Sequence, residues 1–179
     1  MTTTATTLPT GTWTIDPVHS EVTFKVRHLG LARVRGEFRV FSGQIVTGQD
    51  VTEASITAEI DVSSIDTGNE QRDQHVRSDD FFDVNSHPTM TFRSTGVSRD
   101  GDGYRIDGEL TWRGYTVPVT LNTELHGVAA NPANDDATTL GASAETTINR
   151  LDFGVGEPGN AMLSEKVAVT LEIEAALQS

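Results

Sequence analysis

From Ser20 to Val46 apolar and charged residues alternate one for one. One parity carries Val22, Phe24, Val26 and His28, then, past a turn at Gly30, Val34, Gly36, Phe38 and Val40. The other carries Glu21, Thr23, Lys25 and Arg27, then Arg33, Arg35, Glu37 and Arg39. A period of two puts each set on its own face of a sheet, so the pattern predicts two long strands with a dry inner and a wet outer face. Such strands suit a barrel or sandwich rather than a parallel sheet covered on both sides. The alternation returns in Ala54, Ile56, Ala58, Ile60 and Val62, in Met90, Phe92 and Ser94, and in Tyr104, Ile106, Gly108, Leu110 and Trp112. It continues through Val117, Val119, Leu121, Thr123 and Leu125, then Ala142 to Ile148, and closes with Val167 to Ala175. With a short strand near Trp13–Ile15, the chain is all-β, with eight or nine antiparallel strands. Asp100-Gly101-Asp102-Gly103 and Arg113-Gly114 read as hairpin turns, and Asn131-Pro132 to Asp136 as a longer loop. No linker divides the pattern, which predicts one barrel domain over 11–179 behind a disordered Thr-rich tail, 1–10.

One segment departs from period two. Thr67-Gly68-Asn69-Glu70 has capping-box spacing and predicts a polar helix from Gly68 to Arg77. Phe81 and Phe82 follow, so residues 68–83 read as a helix and flap held by Val76, Phe81 and Phe82. Two readings stand: a plug closing one barrel end, or a lid over a cavity mouth.

Composition narrows the function classes. The length fits one domain with a real core. A formal net charge of −13 opposes nucleic-acid binding, which needs a cationic face. The absence of cysteine excludes disulfides and thiolate metal sites. MTTTATTLPTG has neither a basic n-region nor an apolar h-region, which predicts a cytoplasmic protein. A closed barrel offers no free edge strand, and monomer and homodimer both remain open.

Candidate chemistry is sparse. Asp16, His19 and Ser20 evoke a triad, but neighbouring side chains diverge in a strand, and no G-x-S-x-G elbow or H-E-x-x-H pair is present. The sequence therefore points to no catalytic residue, no metal and no cofactor. His28 shares the inward parity and reads either as a core or rim histidine or as a polar group at a cavity mouth. Gly36, also inward, either permits strand coiling or makes room for a ligand. Lys25, Arg27, Arg33, Arg35 and Arg39 are five of the thirteen basic residues and point outward. They read as a solvated ladder paired with acids such as Glu172 and Glu174, or as a docking stripe for a transient membrane-surface contact.

The order of motifs adds to this reading. Ile15-Asp16-Pro17-Val18-His19-Ser20 precedes Phe24-Lys25-Val26-Arg27-His28-Leu29-Gly30 and Val34-Arg35-Gly36-Glu37-Phe38. Arg72-Asp73-Gln74-His75-Val76-Arg77-Ser78-Asp79-Asp80-Phe81-Phe82-Asp83 follows, then Pro88 to Thr95, Gly108 to Gly114 and Asn149-Arg150-Leu151-Asp152-Phe153-Gly154. From Gly11 to Leu177 this order resembles the YceI-like family of bacterial lipid-binding proteins. The resemblance implies an extended, eight-stranded, lipocalin-like antiparallel barrel with a polyisoprenoid or other long-chain lipid in its lumen. It implies binding, transport or storage rather than catalysis, places His28 near the ligand path, and matches His75, Asp79, Phe81 and Phe82 to a helix-and-flap segment. Many family members are periplasmic and carry a signal peptide, a pattern that MTTTATTLPTG does not resemble.

An eight-stranded barrel is either filled by side chains or holds one small ligand. Small inward residues (Gly36, Ala54, Ala58, Ser94, Gly108) among Phe24, Phe38 and Phe92 leave room for a chain whose burial contributes ~0.8 kcal/mol per CH₂. The expected ligand wall is Phe24, Val26, His28, Phe38, Ile56, Ala58, Phe81, Phe82, Met90, Phe92, Ile106, Leu110, Val119 and Leu121. The rivals are an enzyme using His28 with a carboxylate partner, and a packed barrel that binds a partner protein.

Overall fold

The computed structural model describes residues 7–159 and 162–178. Its strands are halves and wholes of eight staves. β1 (Gly11–Ile15) and β2 (Glu21–His28) both pair with β11 (Lys166–Leu177), Trp13 lying opposite Leu177 and Phe24 opposite Val169. β3 (Ala32–Phe38) and β4 (Phe41–Thr47) run back beside β2 and β1. β5 (Ser55–Asp61) and the two-residue β6 (Ile65–Asp66) lie beside β4 and β3. β7 (Thr89–Asp100), β8 (Gly103–Trp112), β9 (Tyr115–Asn131) and β10 (Ala137–Asn149) form a meander that returns to β11. The ring closes as an eight-stave antiparallel barrel in which every long strand has two neighbours. The two-residue turns expected at 101–102 and 113–114 are formed, with positive φ at Gly101, Arg113 and Gly114.

Three staves break part-way along, and this corrects the expected inward set. Between β3 and β4, the Arg39 and Val40 N–H groups donate to the Ser64 carbonyl (3.2 Å) and hydroxyl (3.0 Å), and the Val40 carbonyl accepts from Asp61 N (3.0 Å). These two residues stand outside the ladder, so Phe38 and Phe41 both pack on the inner core. The parity flips as at a β-bulge, and Val40 is 56% exposed. Between β1 and β2, the buried Ser20 hydroxyl spans the gap, donating to the Glu174 carbonyl and accepting its N–H.

Each end has its own cluster. At the end holding the chain termini, Trp13 is fully buried with Leu8, Ile15, Leu140 and Ala175, its indole N–H donating to Thr47 Oγ1 (2.9 Å). Leu8 thus shortens the expected tail: it fills this end, and Pro9 and Thr10 bond to Thr47 and Gly48. Residues 1–6 of that tail lie outside the described residues. At the other end Val62, Ile65, Met90, Trp112, Phe153 and Val155 pack together.

Helix α1 (Glu70–Arg77) lies at that second end. Its N-cap is Asn69, whose side chain accepts from Arg72 N (2.9 Å), not the expected Thr67. Thr67 binds Asp73 instead, with N–H bonds of 3.1 Å and a hydroxyl bond of 2.5 Å to the carboxylate. Asp73 is buried, and its carboxylate claims the groups a capping box would have used.

Candidate functional site

Between the two clusters the inward side chains are half-buried rather than buried. Val167, Val169, Leu171 and Ile173 on β11, Ile56 on β5 and Phe92 on β7 all retain exposure because they face a void. The void is an apolar cavity of about 450 Å³, within the range of small-molecule sites. All fourteen residues of the expected wall line it: Phe24, Val26, His28, Phe38, Ile56, Ala58, Phe81, Phe82, Met90, Phe92, Ile106, Leu110, Val119 and Leu121. Sequence reasoning missed Ile15, Phe41 and Ile45, where the strand break resets the parity, and Thr67, Arg72, Arg150, Phe153 and Leu163, which come from loops and the helix.

Glycines keep the lumen open. A Cβ built on Gly36 would lie 2.3 Å from Phe24 Cζ, and one on Gly108 would lie 2.4 Å from Phe92 Cζ. Both rings therefore lie flat against a bare stretch of wall instead of standing across the cavity. The space at Gly36, open between coiling and ligand room in the sequence, is filled by the Phe24 ring.

The helix end carries the polar rim. Arg72, exposed yet lining the cavity, donates to Thr67 Oγ1 and to the Thr67 carbonyl (both 2.7 Å). His28, at the end of β2, lines the same end. The flap is held by more than its apolar residues. Phe82 stacks on Phe38 at 6.2 Å and meets Trp112 edge-on at 4.7 Å, while Phe81 touches His75 at 5.1 Å. Arg77 donates to the Ser63 (2.8 Å) and Ile65 (3.0 Å) carbonyls, and Arg113 to the Phe81 carbonyl.

Arg150 is 5% exposed and forms no ion pair with a carboxylate among the described residues. Its guanidinium donates instead to the carbonyls of Val155, Glu157, Leu163 and Ser164 at 2.8–3.3 Å, so every N–H is satisfied. It staples the loop between β10 and β11 at this end. Trp112 differs: its buried indole N–H has no hydrogen-bond partner among the described residues.

No carboxylate lines the cavity among the described residues, so His28 has no acid–base partner there. Asp16, His19 and Glu174 bring donor atoms within 4.8 Å of one another at the β1–β2 break, a grouping invisible in sequence because Glu174 comes from β11. His19 Nδ1 sits 2.8 Å from Asp16 Oδ2, and that hydrogen bond raises the imidazole's pKa and lowers the carboxyl's. The salt-bridged exterior expected of the basic stripe is formed only by Arg39, which pairs with Asp66 (2.5 Å) and Glu37 (3.3 Å). Lys25, Arg27, Arg33 and Arg35 are in no ion pair among the described residues, and Glu172 instead accepts from Ser143.

The sequence model of the YceI-like domain matches residues 13–175. The chain belongs to the YceI-like family. A UPF0312 protein of Staphylococcus epidermidis is 39% identical over 158 residues, covering 85% of this chain and 90% of its own. Another, from Pectobacterium atrosepticum, is 37% identical over 138 residues, covering 76% and 71%. Among solved structures, BcnA of Burkholderia cenocepacia superposes with a TM-score of 0.77 at 25% identity, over 89% of this chain and 98% of that one. The YceI protein of Campylobacter jejuni gives 0.75 at 29% identity, over 86% and 90%. A polyisoprenoid-binding domain from Saccharophagus degradans shares the fold alone, with a TM-score of 0.66 at 16% identity, over 95% and 100%. The YceI-like barrel expected from the sequence is thus the fold observed.

Proposed function

We propose that this YceI-like protein is a non-enzymatic carrier that binds a long-chain amphiphilic lipid, polyisoprenoid or similar, for transport or storage. The observation that carries the reading is the apolar lumen of about 450 Å³. At ~24 cal/mol per Å³, an empty apolar void of that size costs on the order of 10 kcal/mol, comparable to a domain's whole stability. A tail of a dozen or so methylenes regains a similar amount at ~0.8 kcal/mol each. Phe24, Phe92, Leu110 and Leu121 grip the tail from four strands. The polar end of the ligand faces the helix end, where Thr67, Arg72 and His28 offer polar groups. Acid–base catalysis at His28 would need a partner that the carboxylate-free wall does not supply.

Native mass spectrometry of protein purified from its own host tests the reading. Extra mass released by solvent extraction, with a hydrocarbon chain in the extract, is expected. Protein that is ligand-free, and neither binds nor is thermally stabilised by geranylgeraniol or dansylundecanoic acid, would sink it.

A further inference from the structure

We infer that the tip of the β2–β3 hairpin is a docking surface for an anionic phospholipid bilayer, which sets the cavity mouth against the membrane. Three sets of observations converge on it, and none depends on what fills the lumen.

The first is the turn. The Leu31 N–H donates to the His28 carbonyl (3.0 Å), and Leu29 and Gly30 both have positive φ, 56° and 68°. This is the type I′ geometry, which favours Asn-Gly because left-handed backbone is unfavourable for side chains such as leucine. The chain nevertheless places Leu29 there, 51% exposed, and Leu31 beside it, 79% exposed. Met162, 56% exposed, adjoins them, its carbonyl accepting from Leu29 N (3.1 Å). Neither turn chemistry nor burial accounts for an apolar tip.

The second is the charge just below that tip. Lys25 lies opposite Arg35, and Arg27 opposite Arg33, on the outward face. Like charges in direct cross-strand pairs weaken a hairpin, and among the described residues no acid forms an ion pair with any of the four. Within the β2–β3 ladder the acids lie further from the tip, where Glu37 is opposite Thr23 and Glu21 is opposite Glu172 on β11. In a protein of net charge −13 this separation is a local inversion of sign.

The third is position. His28, adjoining the turn, lines the cavity, so the tip stands at its rim. Leucines at a tip with cations one step behind match the layering of a bilayer: apolar acyl region beyond, negative headgroups nearer. An acidic protein would satisfy the cations but leave the leucines unexplained.

Flotation with phosphatidylcholine vesicles, with or without phosphatidylglycerol, tests this on the full chain. Wild type is expected to bind the anionic vesicles at least tenfold better than the neutral ones, and to lose this in high salt. Two double variants probe the two features without threatening the fold. Leu29→Asn installs the residue the turn prefers while Leu31→Asn removes the other exposed leucine, and Arg33→Glu with Arg35→Glu turns both like-charge pairs into opposite ones. Each should cut binding to anionic vesicles tenfold or more while taking up dansylundecanoic acid like wild type. Equal flotation with both vesicle types, no flotation, or either variant floating like wild type would overturn the inference. So would binding to immobilised polyglutamate that matches the vesicles and ignores the leucines, which would assign the stripe to an acidic protein. Loss of probe uptake in wild type bears on the lumen, not on the docking surface.

Discussion

Replacing Gly36 with alanine should narrow the lumen through a residue that never touches the ligand. The added Cβ falls 2.3 Å from Phe24 Cζ and 2.8–2.9 Å from both Cε atoms, so the ring must retreat by about 1 Å to reach ordinary contact. The Phe38 ring stands 5.5 Å away on the same side, leaving the cavity as the direction of escape. Overpacking of this kind costs about 1–3 kcal/mol, offset by about 0.5–1 kcal/mol from removing a flexible glycine within a strand. A net loss of about 0–2.5 kcal/mol follows. If the displaced ring excludes two methylenes of a bound tail, affinity falls by ~1.6 kcal/mol, more than tenfold.

Urea unfolding followed by the fluorescence of Trp13 and Trp112 reads the stability, and titration with dansylundecanoic acid reads the lumen. Phe24→Leu removes the clashing Cζ, so Gly36→Ala should cost less in its presence, with a coupling of at least ~1 kcal/mol. A Gly36→Ala protein as stable as wild type, with unchanged probe affinity and no coupling to position 24, would refute the idea that the glycine houses the ring.

Arg150→Met keeps the stem but strips the buried Val155 carbonyl and three part-buried ones of their donor, which should cost about 2–3 kcal/mol in urea and raise amide exchange across 150–165. Asp73→Ala orphans the Thr67 N–H and hydroxyl, which should cost about 2–3 kcal/mol and deprotect residues 67–84 first, visible by hydrogen exchange. His19 should titrate above 6.5 by NMR because of its hydrogen bond to Asp16, and Asp16→Asn should bring it back towards that value. The raised imidazole contributes stability below pH 6.5 that fades as pH rises through its folded pKa. The lowered carboxyl contributes above 3.8 and fades as pH falls through its own. The pair is therefore strongest between these limits, and an unmoved His19 midpoint in Asp16→Asn would refute the coupling.

The dry face of each stave was legible because period-two alternation depends only on neighbours along the chain: Phe92, Leu110, Val119 and Leu121 stand where their parity put them. The breaks were not. Arg39 and Val40 carry no glycine or proline, and what lifts them out of the ladder is Ser64, twenty-four residues away, so Val40 read as inward and Phe41 did not. The helix start read as a capping box on Thr67, and what moved the cap to Asn69 is Asp73, whose burial depends on the barrel beneath. Leu8 is a lone apolar residue in a Thr-rich run until Trp13 gives it a partner. Arg150 reads as a surface charge until the loop carbonyls around it are known. Each miss needs a contact made by the tertiary fold, which no local pattern encodes.

The two tryptophans show how the ends of the barrel differ. Both are at least 95% buried, and burial of an indole obliges its N–H to find an acceptor. Trp13 finds Thr47 Oγ1, and Leu8 seals the packing around it, so that end is satisfied by protein alone. Trp112, under the flap, has no such acceptor among the described residues, and it lines the cavity at the end that carries the polar rim. An unsatisfied buried donor costs about 1–3 kcal/mol, a cost that persists only where something offsets it. The like-charge pairs and left-handed Leu29 carry costs of the same kind, and they too sit at the helix end. One end of the barrel is thus locally self-consistent, while the other concentrates groups that the fold leaves unpaired. On the proposed reading, a bilayer under the hairpin tip supplies partners for the exposed groups at that end from outside the chain.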